Sequence, residues 1–242
     1  MPHAHVPMDD AARPSFLRFL GEAGGLPRRL LFDPVSTEVD GRDGGGRPVL
    51  VLPAFLAHDL VCTRLRRTLD AAGYRAHASG IGLNRGLRPD TLDLLVRRVE
   101  EVHDASGRPV ALVGWCLGGL FAREVAKLRP GLVERVVTMA APFSGDPRAN
   151  NVWRLYERVA GHPVDKLPID VAVAVKPPVP TFALWGVKDG VVSPASARGL
   201  PGERDVEMRV ECRHTDFVSH PLALRAILEA LEEPVYCPAH YL

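Results

Sequence analysis

The hydrophobic pattern of this chain predicts a layered α/β fold, with a mostly parallel sheet covered by helices on both faces. Two observations carry that expectation. Short runs such as Pro48–Leu52 and Val110–Val113 are apolar without alternation, as strands buried on both faces are. Longer segments with apolar residues at helical spacing separate such runs, and alternation of strand and helix calls for right-handed crossovers into a parallel sheet. A chain of 242 residues is long enough for one sizeable core.

Residues 1–47 read as an N-terminal extension packed on the body, and 48–242 as the main domain. From Pro14 to Phe32 an apolar stretch is broken by Gly24-Gly25, which gives two short helices or, in a second reading, a flap or lipid contact by residues 14–32. Asp40 to Gly46 is a flexible loop by composition. After the strand Pro48–Leu52, Asp59 is placed to cap a helix through Val61, Leu65 and Leu69 that Gly73 ends. A weaker strand covers Tyr74–Ser79, and Thr91–His103 is a helix with Leu92, Leu95, Val96 and Val99 on one face. Strands follow at Arg135–Ala140, Thr181–Trp185 and Val206–Val210, and Pro221 opens a closing helix. Residues 144–179 interrupt the alternation, with a helix-like patch at Val152–Val159 and a Pro-rich exit. An insertion there forms a small cap.

Composition narrows the function classes. Thirty basic against 29 acidic residues leave a net charge of +1, which argues against nucleic acid or an anionic membrane as an obligate partner. The four cysteines show neither C-x-x-C nor zinc-ligand spacing, so no disulfide framework or metal site is expected. No signal peptide or spanning segment is read, and a soluble protein of a reducing cytoplasm is the expectation.

The chemistry concentrates at Val110–Phe121. A buried strand runs into Gly114-Trp115-Cys116-Leu117-Gly118-Gly119 and then into a helix carrying Leu120, Phe121, Val125 and Leu128. Strand, strained residue, helix is a nucleophile elbow, and the glycines give the room that it needs. Cys116 is the nucleophile of that reading; the bland alternative is a small buried hydrophobe. A base and an orienting carboxylate are expected in loops after later strands. Asp189 follows the strand Thr181–Trp185, with Asp216 and Asp170 as rivals, and Asp189 before Gly190 also suits a plain turn. His214 follows Val206–Val210, with His220 as the rival, although His220 before Pro221 looks like a helix cap. Two N–H groups, those of Leu117 and Phe55 with Leu56 as alternative, are expected to form an oxyanion hole. Trp115, Leu56 and Phe143 are expected to contact substrate.

Those residues carry a resemblance. From about Pro48 to Leu231 the chain looks like an α/β-hydrolase, on the elbow, the loop Leu52-Pro53-Ala54-Phe55-Leu56, the segment Lys188-Asp189-Gly190-Val191-Val192 and the His214 loop. It is most similar to bacterial lipase/esterase-type members, whose elbow reads Gly-Trp-Ser-Leu-Gly-Gly. The resemblance implies hydrolysis of a small-molecule carboxylic ester with no cofactor. Cysteine at the elbow departs from that subgroup and is similar to dienelactone hydrolases and polyhydroxyalkanoate synthases. A thiol beside a His at a helix start forms a thiolate–imidazolium pair that attacks esters or thioesters. Ester or thioester hydrolysis on an apolar acyl group, acyl transfer through the same cysteine, and a non-catalytic binding protein on the same fold stand as the function classes.

Overall fold

The computed structural model describes residues 13–23, 39 and 41–234. Its centre is one six-stranded, all-parallel sheet in the order β2-β1-β3-β4-β5-β6. The strands are β1 (Pro48–Leu52), β2 (Arg75–Ala78), β3 (Val110–Trp115), β4 (Val133–Met139), β5 (Thr181–Gly186) and β6 (Val206–Val210). The helices are α1 (Phe16–Ala23), α2 (Thr63–Ala71), α3 (Thr91–Ser106), α4 (Leu117–Leu128), α5 (Trp153–Ala160), α6 (Pro194–Arg198) and α7 (Pro221–Glu232).

Strand alternation sorts the core into two layers. Val49, Val51 and Val113 pack with Leu65 and Leu69 of α2 and Ile227 and Leu228 of α7. Leu50, Leu52 and Leu112 face the other way, onto Leu95 and Val99 of α3 and Phe121 and Val125 of α4. Both faces of the sheet are thus covered, which is why β1 and β3 are apolar at every position and buried throughout.

Several expected boundaries move. The second strand is shorter than Tyr74–Ser79, and α3 runs to Ser106 before Gly107 ends it at φ +64°. Asp59 is not the cap read from sequence. His58 caps that turn by accepting from Leu60 N–H, while Asp59 turns inward and accepts from Ser79 N–H, Ser79 Oγ, Gly80 N–H and Gly82 N–H. Four donors on one carboxylate fix the loop after β2 and outweigh a single cap bond. The short α6 has no counterpart in the sequence reading. The second N-terminal helix expected before Phe32 lies outside the described residues.

Register brings the strand ends together. Leu52 pairs with Gly114, Trp115 with Met139, Met139 with Leu184 and Gly186 with Val210. The loops leaving β1, β3, β5 and β6 therefore emerge along one edge of the sheet. In open α/β sheets that edge is where ligands bind.

Candidate active site

Cys116 sits between β3 and α4 at φ 53° and ψ −117°, a conformation that costs a non-glycine residue about 1–3 kcal/mol. Close packing holds it there. A Cβ on Gly118 would overlap Leu52 O and stand 2.7 Å from Pro53 O, and one on Gly119 would stand 2.6 Å from Ala141 Cβ. The start of α4 is thereby pressed against the exit of β1 on one side and the exit of β4 on the other. Cys116 N–H donates to Met139 O at 2.8 Å, which pins the bend to the neighbouring strand.

Asp189 follows β5 and is 1% exposed; His214 follows β6 and is 4% exposed. Asp189 Oδ2 lies 2.8 Å from His214 Nδ1, while Oδ1 accepts from Val191 and Val192 N–H at 2.8 Å each. Cys116 acts on the same imidazole through its charge and a hydrogen bond. Burial alone would lower the His214 pKa. The Asp189 carboxylate and Cys116, each through charge and hydrogen bond, outweigh it and hold the imidazole well above its ordinary value. The three residues thus form a chain, thiol to imidazole to carboxylate. A carboxylate at Nδ1 favours the tautomer with its proton on that nitrogen, which leaves the other ring nitrogen able to accept one.

The rivals are placed elsewhere. His220 accepts from Leu222 N–H as the cap of α7. Asp216 accepts from Arg213 N–H within its own turn, and Asp170 is exposed in the 144–179 segment.

Neither Phe55 N–H nor Leu117 N–H has a hydrogen-bond acceptor among the described residues. Leu117 is the first residue of α4, where backbone donors have no partner inside the helix. Leu56 N–H donates to Asn84 O at 2.7 Å, so of the two it is the committed one. Leu56 itself takes φ 58°, a second strained residue beside the elbow.

An apolar cleft, open to solvent, begins at Cys116 and Leu117. Phe55, Leu120, Phe121, Trp153, Tyr156 and Val192 give it hydrocarbon walls, and the 144–179 segment supplies much of one side through Pro147, Val152, α5, Val164, Leu167 and Val171. Arg123 anchors that segment from below. Fully buried, it donates to the carbonyls of Val173, Ala174 and Val175, and to that of Glu203. Burial pushes its pKa down to about 10, against the pull of Glu203 and Glu124.

The residues expected to contact substrate lie elsewhere. Trp115 is outside the cleft lining and its indole N–H donates to His214 O at 3.1 Å, so it supports the histidine loop. Phe143 is buried beneath the Arg123 guanidinium, 4.1 Å from it. Leu56 is outside the cleft lining. The cleft instead uses Tyr156, whose hydroxyl accepts from Leu87 N–H at 3.2 Å and whose ring lies 5.3 Å from that of Phe55. Sequence reading also missed Glu22, buried on α1. Its one signal was its position three residues after the half-buried Phe19, on the same helical face.

Among the described residues, no cluster of three His, Cys, Asp or Glu side chains could hold a metal ion, and no helix is long and apolar enough to cross a membrane.

Solved structures share this fold. Aspergillus fumigatus lipase B superposes with a TM-score of 0.59 at 16% identity over 83% of this chain, which spans 55% of that lipase. The Paleococcus ferrophilus monoacylglycerol lipase gives 0.56 at 19% identity, over 77% of this chain and 95% of that one. The mature form of Bacillus licheniformis lipase BlEst2 gives 0.57 at 18% identity, over 82% and 96%. No family model and no curated protein matches the sequence. The sheet order, the flanking helices and these likenesses define an α/β-hydrolase fold.

Proposed function

We propose that this protein hydrolyses a carboxylic ester or thioester with an apolar acyl group, through a covalent thioester on Cys116. The observation that carries the reading is the continuous chain from Cys116 through His214 to Asp189 at the mouth of a hydrocarbon-walled cleft. Known hydrolases of the same fold, lipases among them, add support.

The geometry suits two half-reactions. The Cys116 thiolate attacks the carbonyl carbon, and the oxyanion so formed accepts hydrogen bonds from Phe55 and Leu117 N–H. Collapse breaks the bond to the leaving oxygen or sulfur, to which His214 gives its proton. Neutral His214 then takes a proton from water as the water oxygen adds to the thioester. Collapse expels the Cys116 thiolate, restores the imidazolium and releases the acid. Asp189 holds the ring in register throughout and stabilises the imidazolium.

The test uses p-nitrophenyl esters of graded chain length with the wild type, Cys116→Ala and Cys116→Ser. Turnover by the wild type, none by the alanine variant and kept or increased ester hydrolysis by the serine variant are expected. Equal activity in the alanine variant moves the chemistry to another residue. Product that forms quickly only when an alcohol, amine or thiol acceptor is present assigns the same cysteine to acyl transfer.

A further inference from the structure

Helix α1 lies across the two loops that carry Asp189 and His214. Arg18 donates to Val187 O, two residues before Asp189, and Arg213, next to His214, donates to Gly21 O. The fit is close: a Cβ on Gly190 would stand 2.5 Å from Arg18 O. Glu22 ends this contact and is 4% exposed. Its Oε1 accepts from Gly190 N–H at 3.0 Å and from His214 N–H at 2.9 Å. Its Oε2 accepts from Thr215 N–H at 3.2 Å and Thr215 Oγ at 2.8 Å.

One carboxylate therefore joins the residue after the acid to the base and to the residue after it. No neutral side chain does this equally well. A carboxylate offers two oxygens and only accepts, which suits four converging donors, whereas an amide turns one donor towards another. Burying an anion is costly, and these four bonds are what compensate it. Glu22 does not line the cleft, so its effect runs through the loops rather than through substrate.

We propose that Glu22 is a positioning residue that locks the Asp189 loop to the His214 loop and so fixes the imidazole between carboxylate and thiol. The proposal concerns the architecture of the triad, and only its kinetic arm rests on the hydrolase reading.

The experiment compares wild type with Glu22→Ala, Glu22→Gln and Glu22→Asp. It measures kcat and KM on a p-nitrophenyl ester, and the pH profile of iodoacetamide alkylation at Cys116 mapped by peptide mass. The other described cysteines leave the probe selective, since burial above all pushes both Cys62 and Cys212 up to about 12. Glu22→Ala is expected to lose about 10- to 100-fold in kcat with KM little changed, the scale of a displaced catalytic group. Its alkylation profile moves to higher pH. Glu22→Gln keeps all but the Thr215 N–H bond when its oxygen faces Gly190 and His214, so its kcat stays within about threefold of wild type. Wild-type kcat and an unmoved profile in folded Glu22→Ala overturn the proposal. Where the alanine variant does not fold, Glu22→Asp decides: it keeps the charge but is a methylene too short to hold both loops, and wild-type values in it overturn the proposal equally. A wild type that turns over no ester refutes the hydrolase reading, while the alkylation profiles still decide the role of Glu22.

Discussion

Replacing Asp189 by Asn tests the triad at its least exposed member. Asp189 Oδ1 accepts from the N–H groups of Val191 and Val192, and Oδ2 meets His214 Nδ1, all at 2.8 Å. Asparagine has one acceptor oxygen, and two backbone donors outcompete one ring nitrogen for it. The amide nitrogen then faces His214 Nδ1 and donates to it, which places the ring proton on the nitrogen facing Cys116. The imidazole becomes the wrong tautomer to take a proton from sulfur. The loop keeps its turn, so the variant folds. Loss of a correctly oriented base costs about 10³–10⁴ in kcat, or about 4–5 kcal/mol of transition-state stabilisation. With the carboxylate charge gone, burial dominates and the His214 pKa falls, so the pH profile changes with the rate. Steady-state kinetics on a p-nitrophenyl ester between mildly acidic and alkaline pH reads both effects. Asp189→Asn with more than about a tenth of the wild-type kcat and an unchanged profile would refute the reasoning and leave Asp189 as a turn residue.

Three further outcomes are expected. His214 is held above its unfolded value, so the stabilisation that it brings is fully present below about pH 6.5 and is lost as pH rises through the folded value; the gap in Tm between wild type and His214→Gln should be widest in mild acid and narrow towards alkaline pH, and a gap that widens contradicts this. Gly118→Ala forces α4 away from Leu52 and Pro53, costing about 1–3 kcal/mol by chemical denaturation and lowering kcat by separating Leu117 N–H from Phe55 N–H. Leu117, Leu120, Phe121 and Glu124 mark the cleft wall along α4, a helix rise of about 10 Å; Leu120→Trp should lower kcat/KM for octanoyl relative to acetyl esters by about tenfold or more, and an unchanged chain-length profile places the acyl group elsewhere.

Much of this was legible in the sequence, for identifiable reasons. Strands such as Pro48–Leu52 and Val206–Val210 announce themselves because a sheet covered on both faces, or a short run between turn residues, leaves a local pattern. Cys116, Asp189 and His214 could be placed in loops at strand ends because parallel connectivity sends alternate loops to one edge. Other features depend on packing that leaves no local mark. Trp115 is next to Cys116 in sequence and shares its core layer, yet it lies against the His214 ring and holds His214 O rather than lining the cleft. Phe143 follows Pro142 of the cleft wall but is claimed by buried Arg123. Asp59 was read as a cap because caps are local, whereas its four donors come from a loop some twenty residues on. Glu22 binds partners more than 160 residues away in the chain, a link that no periodicity encodes.

The central claim, that the acyl group passes through the sulfur of Cys116, is tested most directly by rapid acid quench during turnover of a p-nitrophenyl ester, followed by peptide mapping. An acyl mass should appear on the Cys116 peptide in the wild type and be absent from Cys116→Ala. Steady turnover with no adduct on that peptide, undiminished in the alanine variant, would contradict it.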